Sequence, residues 1–215
     1  MKMLIIGMGP GIGFSLAKRF GAEGAEILMM ARNAEKLAGF EKALQAVGIT
    51  SKSYAVDIGN VQAYTAALQQ LAAEHPDLDI LHYNASAYNP TAPSLLAYST
   101  FLHEITINTG GALLAAQAFL PAMKLRGKGT VFFTGGGSAH KAPPELVSLS
   151  IGKAGIRNLA YCLAQEYAPT GIQVSTVTVN GMVAPGTKLD PDTIAGMFWE
   201  LYQLPKAQWI WEKTI

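Results

Sequence analysis

The segment Gly7-Met8-Gly9-Pro10-Gly11-Ile12-Gly13 carries the clearest chemistry in the chain. An apolar run precedes it and an amphipathic segment follows, the strand-loop-helix context in which a glycine loop cradles phosphate. The spacing G-x-G-x-x-G fails, because counting from Gly7 ends on Ile12 and counting from Gly9 ends on Phe14. Gly7, Gly11 and Gly13 instead fit G-x-x-x-G-x-G, with Gly9 between them. Glycines permit positive φ and let backbone approach a pyrophosphate, which the amides and dipole of the following helix hold. The competing reading is a tight turn that binds nothing. A second informative place is Met29-Met30-Ala31-Arg32-Asn33, the tip of the next apolar run. An acidic residue there would accept from a ribose 2′-OH, whereas Arg32 suits a 2′-phosphate and favours NADP over NAD. Arg32 as a solvated surface charge is the alternative.

These loops need a scaffold, and the pattern supplies one. Short apolar runs alternate with helical-period segments, as in βαβ units of a parallel sheet. Strands are expected at 3–6, 26–31, 53–56, 80–83, 130–134 and 173–179, with an edge strand at 209–212. Helices are expected at 12–23, 34–47, 61–75, 98–123, 144–168 and 192–204, the last opened by the Asp190-Pro191 cap. No repeat or linker divides residues 1–215, so the reading is a single nucleotide-binding domain. In such sheets ligands sit beyond the carboxyl ends of the strands, which directs attention to the loops after them.

Composition excludes several partners. Sixteen basic and 15 acidic residues leave a net charge of +1, so no basic stripe argues for nucleic acid. The first apolar run is too short for a signal segment and no later one reaches the length of a membrane span, giving the expectation of a soluble cytoplasmic protein. The single cysteine, Cys162, reads as a small core residue in a reducing compartment. His75, His82, His103 and His140 lack metal-ligand spacing and read as surface or edge residues.

Gly7-x-x-x-Gly11-x-Gly13, Ala31-Arg32-Asn33-Ala34-Glu35-Lys36-Leu37, Asp57-Ile58, Asp79 through Ser86, Ile107-Asn108-Thr109-Gly110, Leu120-Pro121-Ala122-Met123 and Ser150-Ile151-Gly152-Lys153-Ala154-Gly155 together resemble the short-chain dehydrogenase/reductase family. The resemblance spans nearly the whole chain in order. It implies a Rossmann-type doubly wound parallel sheet in a three-layer α/β/α sandwich, binding NADP(H) or NAD(H). It places Asp57 and Ile58 near adenine, Asn84 and Ala85 near the adenosine ribose, and Lys153 on the nicotinamide ribose. It further implies a small carbonyl or alcohol substrate and a homodimer or homotetramer built across the helices at 98–123 and 144–168.

The family's proton donor is a tyrosine four residues before the lysine, and that place holds Leu149. The family's serine on the loop after the fifth strand falls near Gly136, in a register loose enough for Ser138 to serve. Asn108, which the family uses to kink its helix and organise a relay water, is kept. Tyr83 and Ser86 replace an asparagine and a glycine of the family's pattern after the fourth strand. Substitute acids on paper are Ser138, His140, Tyr83, Tyr88, Ser148 and Ser150, with Tyr88 and His140 the better by intrinsic pKa. The connection from Asn180 to Asp190 is shorter than the family's usual substrate lid. Two readings follow: an oxidoreductase with an atypical proton donor, or a non-catalytic NADP(H)-binding protein acting as sensor or subunit. A hydrolase reading of Ser148-Leu149-Ser150-Ile151-Gly152 fails because no histidine follows residue 140. Trp199, Trp209 and Trp211 either finish the core or line an assembly surface.

Overall fold

A strand covered on both faces must be apolar at nearly every position, and the central strands here read that way. The computed structural model describes residues 1–215. Lys2–Ile6 (β1), Glu26–Ala31 (β2), Ser51–Ala55 (β3), Ile80–Tyr83 (β4), Gly129–Gly136 (β5), Ile172–Val179 (β6) and Glu212–Thr214 (β7) form one sheet in the order β3-β2-β1-β4-β5-β6-β7. All neighbouring pairs are parallel. The helices are Ile12–Ala22 (α1), Ala34–Gln45 (α2), Val61–Glu74 (α3), Tyr98–Ile105 (α4), Gly111–Arg126 (α5), Val147–Tyr167 (α6) and Pro191–Gln203 (α7). This is the doubly wound Rossmann-type sandwich expected from the sequence.

Alternation along β1 divides the core. Leu4 and Ile6 join Tyr64, Phe119 and Ile156 beneath α3, α5 and α6. Met3 and Ile5 join Leu16, Phe20 and Phe198 beneath α1 and α7. Each such large side chain, once withdrawn from water, contributes roughly 1.5–3 kcal/mol. β1 lies between β2 and β4, so the chain reverses its winding there and leaves a crevice at the carboxyl ends of β1 and β4. Asn33, Asn60 and Asp190 start their helices by accepting from backbone amides at 2.8, 3.1 and 2.8 Å.

Four expectations need correction. The helix read as continuous over 98–123 is broken by a π turn at Thr106–Gly110 and then runs through Pro121 to Arg126. Glycines at 110 and 111 weaken the helix there, and buried Tyr83 and Tyr64 donate their hydroxyls to the carbonyls of Ile107 and Gly111. The edge strand begins at Glu212 rather than 209, pairing with Thr176–Thr178. Cys162 is exposed on α6, not part of the core. His82 is not at the surface: it lies wholly buried in β4, its ring 4.4 Å from that of Phe198. Of the tryptophans, Trp199 stands edge-on to Phe20 at 5.2 Å and Trp211 lies against Tyr161 at 4.8 Å.

Burial pushes the His82 imidazole down to about 3, with the nearby Lys153 charge acting in the same direction. The unfolded chain binds a proton below its ordinary pKa while the native state does not, so stability falls as pH drops from 6.5 toward 3. The expected slope from this residue is about 1.4 kcal/mol per pH unit. Urea melts at pH 6.5 and 4.5 should lose less stability for His82→Leu than for the parent; equal losses would place an ionised imidazole in the native core.

Candidate active site

The glycine loop is held from below. The amides of Gly7 and Met8 both donate to the carbonyl of Met30, at 2.9 and 3.0 Å. Gly7 has φ +91°, and a Cβ there would collide with the backbone nitrogen of Ala85. Strand ends β1 and β4 therefore touch at a place where only glycine fits. Gly13 is also tight, though less so, since an added Cβ would stand 3.3 Å from the Gly7 carbonyl and from Met8 Cα. Gly9 and Gly11 differ: a Cβ at either meets nothing within 4 Å, because both face an open cavity. No side chain caps α1, whose N-cap is Gly11, and while the Phe14 amide turns back to the carbonyls of Gly9 and Gly11, the amides of Ile12 and Gly13 are left for a ligand. That is the chemistry of an anion cradle.

A buried polar chain joins this loop to α6. Asn84 Nδ2 donates to the Gly7 carbonyl at 2.9 Å. Thr134 Oγ1 donates to Asn84 Oδ1 at 2.8 Å. Having given its proton there, Thr134 Oγ1 accepts from His82 Nε2 at 2.9 Å, which fixes the His82 tautomer. Lys153 Nζ donates to the Thr134 carbonyl at 2.7 Å. Burial pulls the Lys153 ammonium down to about 8. The parallel register aligns the chain, since His82 pairs with Phe132 and Tyr83 with Phe133, which sets Asn84 beside Thr134.

One cavity of about 1160 Å³ opens over these strand ends. Its walls include Gly9, Gly11, Ile12, Gly13, Asn84 and Lys153. Ser138, His140, Tyr88 and Leu149 line the same space, as do Met182 and Val183 from the loop between β6 and α7. Leu149 stands one helical turn before Lys153 on α6, and both open on the cavity. Gly136, at the end of β5, is the position whose side chain would face Lys153, an added Cβ standing 3.3 Å from its Cγ. Ser138 sits beyond it on the short turn Gly137–Ala139.

Other predicted residues lie elsewhere. Arg32 is exposed at the tip of β2, outside the cavity wall. Asp57 is exposed and accepts from the Gly59 amide at 2.9 Å, closing the turn after β3. Ile58 is 8% exposed and belongs to the core, and Ala85 packs partly buried against that core. Asn108 is buried in the π turn, where Oδ1 accepts from the Ala87 amide at 2.7 Å and Nδ2 donates to its carbonyl at 2.8 Å. It pins the chain after β4 and supports a close crossing with α6, where a Cβ on Gly152 would strike it. Tyr83 does not reach the cavity, because its hydroxyl is buried on the Ile107 carbonyl and burial raises its pKa. Ser148 and Ser150 are buried away from the cavity wall on either side of Leu149. Sequence reasoning missed Thr134 and the inward His82. The signal available was period-two alternation, which puts 82 and 84 on one face of the fourth strand.

A family profile described as short chain dehydrogenase matches residues 1–193. The chain belongs to the short-chain dehydrogenase family. It is 31% identical over 176 residues to D-xylose 1-dehydrogenase of Caulobacter vibrioides, covering 82% of this chain and 69% of that enzyme. It is 33% identical over 171 residues to sorbose reductase sou1 of Schizosaccharomyces pombe, covering 77% and 67%. Among solved structures, a short-chain dehydrogenase from Rhodopseudomonas palustris superposes with a TM-score of 0.88 at 28% identity, covering 100% of this chain and 97% of that one. A metagenomic short-chain oxidoreductase solved in complex with NADP superposes at 0.91 with 24% identity, covering 100% and 96%, a likeness of fold. No helix of this family member is long and apolar enough to cross a membrane.

Proposed function

We propose that the protein is an NADP(H)-dependent oxidoreductase acting on a small uncharged carbonyl or alcohol, with an atypical proton donor. The observation that carries this reading is the opening of the Gly9–Gly11 cradle onto the same cavity as Lys153, so that one extended ligand could meet both. Gly9, Gly11, Ile12 and Gly13 would hold the pyrophosphate at the α1 amides, and Lys153 would grip the nicotinamide ribose. When bound, the nicotinamide supplies or takes the hydride. The chain's own part is to orient the dinucleotide, narrow the substrate's approach and move one proton.

Leu149 and Gly136 stand where the family's tyrosine and serine are expected, and neither can exchange a proton. That favours, as a second reading, a protein that holds NADP(H) without turning it over. Association into two or four copies across α4, α5 and α6 fits their exposed Leu102, Leu113, Ile151 and Tyr161.

The test is calorimetric titration with NADPH and NADH. NADPH should bind in the micromolar range and NADH more weakly, and failure of both to bind overturns the reading. Arg32→Ala should weaken NADPH roughly 10- to 100-fold, the range of a lost charge-assisted hydrogen bond, with little effect on NADH. Equal loss for both cofactors would remove Arg32 from the 2′-phosphate.

A further inference from the structure

We propose that His140, oriented by the carboxylate of Glu212, is the proton donor of this site. The inference rests on the oxidoreductase reading above. His140 closes the short turn after β5 and lines the cavity shared by Lys153 and Leu149. Its Nε2 lies 3.9 Å from Glu212 Oε1. Glu212 reaches that place from the edge strand β7, and other donors hold its carboxylate there. Arg157 Nε donates to both oxygens at 3.0 Å, Arg157 Nη2 lies 2.9 Å from Oε2, and Thr178 Oγ1 donates to Oε1 at 2.7 Å. Burial alone would raise the Glu212 pKa, but the hydrogen bonds from Arg157 and Thr178, with the charges of Arg157 and His140, hold it below the usual carboxylate range. The carboxylate therefore stays ionised and fixed while the imidazole remains half-exposed.

A fixed carboxylate facing one ring nitrogen leaves the other for the reacting group, an arrangement suited to general acid-base work. With Nε2 turned to Glu212, Nδ1 is free to serve the substrate. In the reducing direction, NADPH held by the glycine loop and Lys153 would supply the hydride, its C–H bond breaking to leave NADP+, and as the hydride reached the carbonyl carbon the C=O π pair would move to oxygen. The imidazolium N–H bond breaks and an O–H bond forms, leaving neutral imidazole. His140 regains a proton from water, to which it is open. The charged groups around it are Glu212 and, behind it, Arg157, with Lys141 beside it in the chain and Lys153 across the cavity. The other cavity-lining candidates lack this support: neither Tyr88 nor Ser138 makes a side-chain hydrogen bond, whereas the fixed Glu212 carboxylate lies at ion-pair distance from His140. Leu149 leaves room on the wall that the family's phenol would fill.

Two measurements test the proposal in the intact chain. The first is the NMR spectrum of the His140 ring, assigned by comparison with His140→Gln: Glu212→Gln should shift its ring resonances as the carboxylate facing Nε2 is removed, and unmoved resonances overturn the contact. The second is NADPH oxidation with a panel of aryl and aliphatic aldehydes, including 4-nitrobenzaldehyde. His140→Gln should cut kcat about 100-fold or more while NADPH affinity holds. Glu212→Gln should lower kcat by a smaller factor, with NADPH affinity and the aldehyde KM unchanged, because it removes the orienting carboxylate and keeps the acid. Unchanged kcat in His140→Gln overturns the assignment, as does a parent protein that binds NADPH but reduces none of the aldehydes. A parent that fails to bind NADPH overturns the dinucleotide reading itself, so the two failures are distinct.

Discussion

Lys153→Met should make the ligand-free protein more stable at pH 7, by roughly 1–3 kcal/mol, while removing NADPH binding. Lys153 is 9% exposed and its ammonium is held down to about 8 by burial, so folding takes a charge from water and returns one hydrogen bond, to the Thr134 carbonyl. The lowering from the ordinary 10.5 corresponds to about 3 kcal/mol, and losing the carbonyl's partner offsets part of the gain. The pH dependence follows from the same shift. Between 8 and 10.5 the unfolded chain keeps the proton that the native state has released, so the parent gains stability as pH rises through that window. The advantage of Lys153→Met should be full below pH 8 and shrink toward pH 10.5. Urea melts of both proteins at pH 7 and 10 measure it. A variant less stable than the parent at both values would mean that the amine is structural rather than a group held ready for a ligand. The expected trade of stability against binding is the mark of a residue retained for function.

How much of this the sequence revealed depends on the range of the interaction. The glycine loop was legible because Gly7, Gly9, Gly11 and Gly13 are close in the chain and their backbone task depends on residue type alone. The doubly wound parallel sheet was legible through the family resemblance, and β2 and β4 fall on the expected residues because apolar runs buried on both faces have sharp ends. The break at Thr106–Gly110 was not legible, since it depends on hydroxyls from Tyr64 and Tyr83 on other elements. The chain His82–Thr134–Asn84–Gly7 was missed for the same reason, as its links join three strands. Tyr83 was misplaced because a strand residue followed by a loop can face either way, and only the packed structure turned it toward α5. The Glu212 carboxylate was invisible for a further reason: nothing near Glu212 in the sequence resembles a site. Only the parallel pairing of β6 and β7 brings Glu212 beside Thr178, within reach of Arg157 and near His140.

Leu149→Tyr should raise carbonyl reduction by about 100-fold or more where proton delivery limits the rate. Residues one turn apart on a helix face the same way, and Leu149 and Lys153 both open on the cavity, so a phenol at 149 would stand beside an ammonium. A neighbouring cation favours the phenolate and lowers its pKa, which suits proton transfer near neutral pH. Leu149 is only half-buried, so the larger ring extends into the cavity and the stability cost should stay within about 1.5 kcal/mol. Gly136→Ser adds the hydroxyl that the loop lacks. Its Cβ would stand 3.3 Å from Lys153 Cγ, a contact that the flexible lysine stem can relieve by a few tenths of an ångström. The control is Leu149→Phe, which adds the ring without the proton. The rate of NADPH oxidation with the same aldehydes should rise for Leu149→Tyr, rise further with Gly136→Ser, and stay at the parent's level for Leu149→Phe. A smaller gain in the presence of His140 than in a His140→Gln background would show two donors competing for one proton transfer. Equal rates for the Tyr and Phe variants would move the limiting step away from the proton to the positioning of substrate beneath the short loop between β6 and α7, where residues Asn180 to Val183 line that side of the cavity.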